Sequence, residues 1–369
     1  MKIIYLTDQV CRHGGIEKVL SQKANYLADN SGEEVFIVTY NQQGEKPVYK
    51  FSEKIIFFDL DINYDISKSY FRRRNLLKIP KHWAALQTIF REIKPDFVIS
   101  SSFGPDFYFL PYVCKNIPKI KEFHSSRYFY FQNNITFKSK VFRKINKFIE
   151  EKYHQIVVLN LSEKPFYNNR NIAVIPNPAE KSTVFAQINS KKILAAGRIS
   201  PIKNFGDLIE IFSHLAADFP DWELHFFGEN YQDTQEKLEV IIGQLHLESQ
   251  IKFKGISDDL KKEMQNYSIY AMTSESECFP MVLLEALSVG LPVISYDAPT
   301  GPKYILKNSE DSFLIAYKNL DIFTEKLKLL IKSGNLRKKM GLSGIENVKQ
   351  FDIEIVMKKW QNLFQKIKK

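Results

Sequence analysis

The sequence predicts an α/β fold of two doubly wound domains. Three observations carry this. Short apolar, β-branched runs alternate with helical stretches along all 369 residues. A two-proline segment, Ile175-Pro176-Asn177-Pro178, punctuates the middle. The length suits two or three units of roughly 100–200 residues each.

In chain order, residues 2–7 form a strand-like run, Gly14-Gly15 follows, and 16–28 is amphipathic. Residues 35–40 and 55–60 read as strands, 70–93 as one basic, aromatic helix, and 97–101, 119–123 and 156–159 as short apolar strands. The second half places strands at 193–196, 223–227, 251–253, 269–273, 293–296 and 312–315. Between them 205–217 is helical, because Leu208, Ile209, Phe212, Leu215 and Ala216 recur at helical spacing. Such runs argue for parallel sheets covered on both faces. Pro176 and Pro178 can continue neither element, so the domains are expected at 1–177 and 178–352. The amphipathic tail 353–369, with Ile355, Val356, Trp360, Leu363, Phe364 and Ile367 on one side, is expected to pack back on the first domain. Ligands of such sheets lie at the carboxyl ends of strands, so two domains facing one another put the expected site in a central cleft.

The composition, 44% hydrophobic and 25% charged, is that of an ordinary globular chain. No apolar run approaches the roughly 20 residues that span a bilayer. The start, with one lysine and no small-residue cleavage site, reads as no signal peptide. Cys11, Cys114 and Cys278 are far apart, which excludes a disulfide scaffold or cysteine-rich zinc site as organiser and fits the reducing cytoplasm. Charge is uneven: residues 1–178 hold 27 Lys+Arg against 17 Asp+Glu, the rest 25 against 25, so the whole +10 excess lies in the first half. That half is expected to face something anionic: nucleic acid, a membrane surface or an acidic substrate.

The chemistry concentrates in two strand-to-helix loops. Residues 274–292 run from Ser274 through Glu277, Cys278, Phe279 and Pro280 into a buried helix bearing Glu285, closed by Gly290 and Pro292. Pro280 suits the first helical turn, and the free N–H groups near Phe279, Pro280, Met281 and Val282 attract phosphate. A buried Glu285 needs a partner. Gly197-Arg198-x4-Lys203-Asn204 forms the second loop, where Arg198 as a fork and Lys203 as a point charge can clamp a diphosphate.

Together, Gly197-Arg198-x4-Lys203-Asn204 and Glu277-x-Phe279-Pro280-x4-Glu285-Ala286 resemble the retaining GT-B glycosyltransferases of family 4, whose E-x7-E pattern the second reproduces. Gly228-Glu229, Gly290-Leu291-Pro292-Val293 and Asp297-Ala298-Pro299-Thr300-Gly301-Pro302 also match, the last resembling members that build bacterial surface polysaccharides or lipopolysaccharide. The resemblance spans the chain and is tightest over 175–314. It implies a GT-B fold and hexosyl transfer, with retention, from a nucleotide diphosphate sugar, UDP-linked by the D-x-P-T-G-P stretch, to a glycan or lipid-linked glycan acceptor. It also implies roles. Arg198 and Lys203 neutralise the leaving diphosphate, Glu285 holds the ribose and Glu277 the donor sugar. Gly14 and Gly15, in the family's G-G-x-E loop, let the backbone approach the donor, and His124 after a strand contacts the donor sugar. Cys278 stands where the family has glycine.

Breaking the anomeric bond leaves negative charge on the diphosphate, which fixed cations stabilise. No cofactor or metal is therefore expected. Asp59-Leu60-Asp61 matches a D-x-D metal clamp only superficially. Two basic–aromatic clusters suit an anionic membrane surface. One holds Arg72-Arg73-Arg74, Lys78 and Lys81, and the other Arg127 to Phe131 with Lys138, Lys140, Arg143, Lys144 and Lys147. No nucleic-acid motif accompanies them, so the expected location is cytoplasmic and membrane-peripheral. The rival readings are a sugar-nucleotide epimerase, a phosphorylase, or a non-catalytic sugar-nucleotide binder on the same architecture. No Gly-x-Gly-x-x-Gly follows the first strand, which speaks against a dehydrogenase.

Overall fold

Thirteen strands, all in parallel pairs, organise the described chain. The structure, a computed structural model, describes residues 1–67, 69–128, 136–167 and 169–368. Phe129, Tyr130 and Phe131 of the second basic–aromatic cluster lie outside the described residues, as does the Lys138 side chain.

The chain divides into two compact units, Met1–Pro178 with Ile353–Lys369, and Ala179–Asp352. In the first, β1 (Lys2–Thr7), β2 (Glu34–Thr39), β3 (Ile56–Asp59), β4 (Phe97–Ser100), β5 (Lys119–Glu122), β6 (Gln155–Val158) and β7 (Ile172–Val174) lie in the order β3-β2-β1-β4-β5-β6-β7. In the second, β8 (Lys192–Ala196), β9 (Glu223–Phe227), β10 (Ile251–Phe253), β11 (Ile269–Met272), β12 (Val293–Tyr296) and β13 (Ser312–Ile315) lie in the order β10-β9-β8-β11-β12-β13. Each order starts at the middle, runs to one edge, returns and runs to the other, which is the doubly wound pattern.

The central strands of each sheet are buried on both faces. In the first unit Ile4, Leu6, Val98 and Ile156 face one core, and Ile3, Tyr5, Phe97 and Ile99 face another. The closing helix, Ile353–Lys368, completes that second core with Val356, Met357, Trp360, Leu363 and Phe364. Phe364 stacks on Phe97 at 4.9 Å, and Lys368 pairs with Asp96 at 2.8 Å. Each buried aromatic or leucine there contributes about 1.5–3 kcal/mol, which holds the last helix on the unit where the chain began. The helix also sharpens the charge division. Residues 353–369 add five lysines and one glutamate to the first unit's 27 and 17, a net +14, leaving the second unit 20 against 24, a net −4.

Three local expectations change. Residues 70–93 form two helices, Arg73–Leu76 and Ile79–Ile93, because Pro80 lacks the N–H that would continue the first and costs nothing in the first turn of the second. An additional strand, β7, pairs with β6 at the sheet edge. And β5 is not apolar: Lys119, Lys121 and Glu122 are three of its four residues, all buried in mid-sheet. Each has partners, as burial demands. Lys119 donates to the Ile117 carbonyl at 2.8 Å, Lys121 to Ser100 Oγ at 3.0 Å, and Glu122 accepts from Lys23. Among the described residues, no helix is long and apolar enough to cross a membrane.

Candidate active site

Each sheet reverses its winding where β1 adjoins β4 and where β8 adjoins β11. Ligands of open α/β sheets settle outside the strand carboxyl ends at that point. In the second unit the two loops leaving β8 and β11 carry most of the residues singled out by motif.

The chain leaves β8 through Gly197 at φ +144, a conformation that favours glycine. A Cβ there would lie 2.8 Å from Lys203 Cε, and one at Gly228, φ +151, would strike the Gly197 carbonyl. The two glycines thus let neighbouring loops touch: the Gly197 N–H donates to the Phe227 carbonyl at 2.9 Å and that of Ile199 to Glu229 at 2.8 Å. Arg198 is exposed, its guanidinium 5.1 Å from the Tyr231 ring centre. A short 3-10 turn, Pro201–Lys203, then carries Lys203 inward, and Asn204 turns left-handed to start helix Phe205–Ala216.

The β11 loop is tied to this one. Thr273 Oγ1 donates to the Asn204 carbonyl at 2.9 Å, and the Glu275 N–H to the Ile202 carbonyl at 2.9 Å. Lys203 Nζ meets Glu277 Oε1 at 2.6 Å. Glu275, two residues earlier, is engaged by the Tyr317 hydroxyl at 2.9 Å, so the structure separates the two glutamates cleanly. Phe279 is buried and packs edge-on against Phe351 at 5.5 Å, anchoring the loop. Helix Met281–Ser288 follows, with Pro280 before it and no side chain capping it, so its first N–H groups stay available to an anion. Glu285 is buried on that helix. Tyr270, whose hydroxyl donates to the Ala196 carbonyl, has its pKa pushed upward by burial and then by the Glu277 and Glu285 carboxylates, which puts both within electrostatic reach of one phenol. Three buried polar atoms here have no partner among the described residues: Asn204 Nδ2, Ser274 Oγ and Asp297 Oδ1. Burial without a hydrogen bond is costly, and a polar ligand relieves it.

The Asp297–Pro302 stretch buttresses Glu277. Thr300 Oγ1 donates to the Glu277 carbonyl at 3.1 Å, and a Cβ on Gly301 would lie 2.8 Å from the same oxygen. Gly301→Ala should therefore displace the Glu277 loop. We expect roughly tenfold weaker ligand binding at this loop by calorimetry with a near-normal melting temperature, since a misplacement of about 1 Å at a site can cost about a hundredfold. Wild-type affinity would show that the buttress is dispensable.

In the first unit, Gly14 precedes helix Gly15–Asp29 with extended backbone, and Glu17 folds back to accept from Gln9 Nε2 at 2.5 Å. His124 follows β5 beside a cavity of about 590 Å³ lined by Phe103, Tyr108, Phe123, Phe142 and Tyr167. Its Nε2 lies 3.4 Å from Glu122 Oε2. Glu122 in turn receives Lys23 Nζ at 2.6 and 2.5 Å, and the Trp360 ring lies 4.7 Å from that ammonium. Burial opposes ionisation of Glu122, yet the charges of Lys23 and His124 outweigh it and hold its carboxyl down to about 2. Lys23 and Glu122 belong to no motif. Their signal is a lysine on the apolar stripe of one helix, between Val19 and Leu27, and a carboxylate in a central strand.

Asp59 and Asp61 make a turn: Asp59 Oδ1 accepts from Thr39 Oγ1 at 3.3 Å and from the Asp61 N–H at 3.2 Å. Among the described residues no three His, Cys, Asp or Glu side chains gather as metal ligands do. Asp8, at the start of the loop that leaves β1, has its pKa raised by burial, while His13 is exposed, edge-on to Tyr49.

Residues 178–347 match the family model "Glycosyl transferases group 1", and residues 13–181 match "Glycosyltransferase Family 4". An uncharacterized glycosyltransferase of Haemophilus influenzae is 27% identical, over 98% of this chain and 99% of its own. The amylovoran biosynthesis glycosyltransferase AmsD of Erwinia amylovora is 26% identical over the same shares. Among solved structures, a mutant of S. aureus TarM in complex with fondaparinux, alpha-GlcNAc-glycerol and UDP superposes with a TM-score of 0.80 at 16% identity, covering 99% of this chain and all of that one.

Proposed function

Because the chain is a GT-B glycosyltransferase, we propose that it moves a hexosyl group, with retention, from a UDP-sugar to a glycan or lipid-linked glycan acceptor in cell-surface polysaccharide synthesis, at the cytoplasmic face of an anionic membrane. The observation that carries the donor assignment is the Lys203–Glu277 pair beside unpaired buried Ser274 and Asn204. An ammonium has three donors; one goes to Glu277, leaving two for phosphate oxygens. Lys203 thereby ties the carboxylate that holds the sugar to the group that holds the phosphate. Arg198, oriented by Tyr231, adds a planar fork. The N–H groups at the start of helix Met281–Ser288 add a third positive contact, and Glu285 takes the ribose. These charges stabilise the diphosphate as it leaves, and they do so without a metal. The leaving phosphate then takes the acceptor proton on the face from which it departs. In the first unit the aromatic cavity beside His124 receives the acceptor.

Thermal shift with UDP-, GDP- and ADP-sugars tests the donor. A UDP-sugar at a hundred times its Kd stabilises the native state by about 2.7 kcal/mol, or roughly 5–10 °C for a unit of this size. A larger shift with another nucleotide would reassign the base. Transfer should survive EDTA; loss restored by Mn²⁺ would return Asp59 and Asp61 to the mechanism. Interconversion of the donor sugar without acceptor would make the enzyme an epimerase.

A further inference from the structure

Helix Phe137–Glu150 has two unlike faces. Ser139, Phe142 and Asn146 wall the aromatic cavity. On the other side, at positions i, i+4, i+8 and i+11, Phe137, Val141, Ile145 and Phe148 are 84, 40, 43 and 54% exposed. At 3.6 residues per turn these four fall in one sector about 80° wide. Exposed Lys140, Lys144 and Lys147 line its flank, and the Lys152 ammonium lies 4.6 Å from the Phe148 ring centre. A helix stable in water hides such a row against a core.

We propose that this outer face is a docking surface for an anionic lipid bilayer, entered by the four apolar side chains and gripped by the three lysines. Charge selects the occupant. The unit is net +14, and an apolar row with a basic flank is the pattern of helices that lie in the headgroup layer. A second copy docking on the same face about a two-fold axis would set lysines against lysines. The bilayer then lies about one helix diameter, ~10 Å, from the cavity on the inner face, so a lipid-anchored acceptor can reach His124 without leaving the membrane. The inference rests on the membrane-peripheral reading above, and its test separates the two.

The full chain is floated with vesicles of equal phosphatidylglycerol and phosphatidylcholine, and with phosphatidylcholine alone. Wild type should partition to the anionic vesicles only. Lys140→Gln, Lys144→Gln and Lys147→Gln together should lower the partition coefficient about a hundredfold, at roughly 1 kcal/mol per lysine near the surface. Phe137→Ser, Ile145→Ser and Phe148→Ser together should abolish it. All six positions are exposed, so melting temperature should hold, and the UDP-induced thermal shift, which reports the other unit, should be unchanged. Undiminished anionic-vesicle binding in both triple variants would keep the membrane reading and remove the helix from it. Absence of wild-type binding would overturn both while leaving the donor assignment standing. A concentration-dependent dimer, lost in the serine variant and unaccompanied by vesicle binding, would overturn the proposal in favour of a second copy.

Discussion

Arg198→Ala with Lys203→Ala should abolish sugar transfer in a protein that remains folded. Removing one preorganised contact to a developing anion costs about 10²–10³ in kcat. In the proposed site both cations meet one diphosphate, so their losses couple, and the pair should cost about three orders of magnitude or more in kcat/KM, short of the additive ~10⁴–10⁶. Stability should change little, because Arg198 is exposed and Lys203 partly so, with 20% of its side chain accessible. Lys203→Met refines the experiment. It keeps the alkyl stem that packs on Gly197 and removes only the ammonium. Catalysis should fall with the charge, and the stem should hold the loop. Turnover within tenfold of wild type in the double variant would remove these residues from the reaction.

Lys23→Met should destabilise the first unit by about 3–5 kcal/mol, the cost of stranding one member of a buried ion pair. At roughly 2–4 °C per kcal/mol for a unit of this size, its melting transition should fall by about 6–20 °C. Lys23 and Glu122 each keep only 2% of the side chain accessible, and the indole of Trp360 covers the ammonium. Water therefore cannot replace the lost partner. Lys23→Met with Glu122→Met should recover most of the loss, because two apolar groups of similar volume leave no charge behind. A melting shift under 2 °C in the single variant would mean that the pair is better solvated than its burial implies. The sign with pH follows from Glu122. Its native pKa, about 2, lies below the ordinary carboxylate value, so its contribution is complete above about pH 4.5 and is lost as pH falls through 2. The pair also touches His124, whose Nε2 lies 3.4 Å from the same Glu122 oxygen that Lys23 holds. Helix Gly15–Asp29, strand β5 and the closing helix are thus latched at the residue that sequence resemblance puts nearest the sugar.

Most strands were legible in the chain because a strand buried on both faces must be apolar along its length, and that pattern is local. The same holds for the loops of the proposed donor site. Gly197-Arg198, Lys203 and the Glu277-to-Glu285 spacing lie on two strand-to-helix turns whose chemistry is set within a dozen residues. What the sequence could not convey is whatever depends on residues far apart. The salt bridge from Lys203 to Glu277 spans 74 positions, and that from Lys23 to Glu122 spans 99. β5 read as apolar although three of its four residues are charged, because the groups that make their burial tolerable lie outside the strand: Lys119 is held by a carbonyl of the preceding loop, Lys121 by Ser100 on β4 and Glu122 by Lys23 on the first long helix.

By itself, then, the sequence determined the two doubly wound domains, their boundary near Pro178 and the two strand-to-helix loops that carry Arg198, Lys203, Glu277 and Glu285. Only the tertiary structure decided that Glu277 rather than Glu275 meets Lys203, that Gly301 must be small to clear the Glu277 carbonyl, and that Trp360 covers the Lys23 ammonium. The physical reason is one of range. Backbone propensity and apolar periodicity act over a few residues, whereas the free energy of a buried charge is set by whichever distant group folding brings to it.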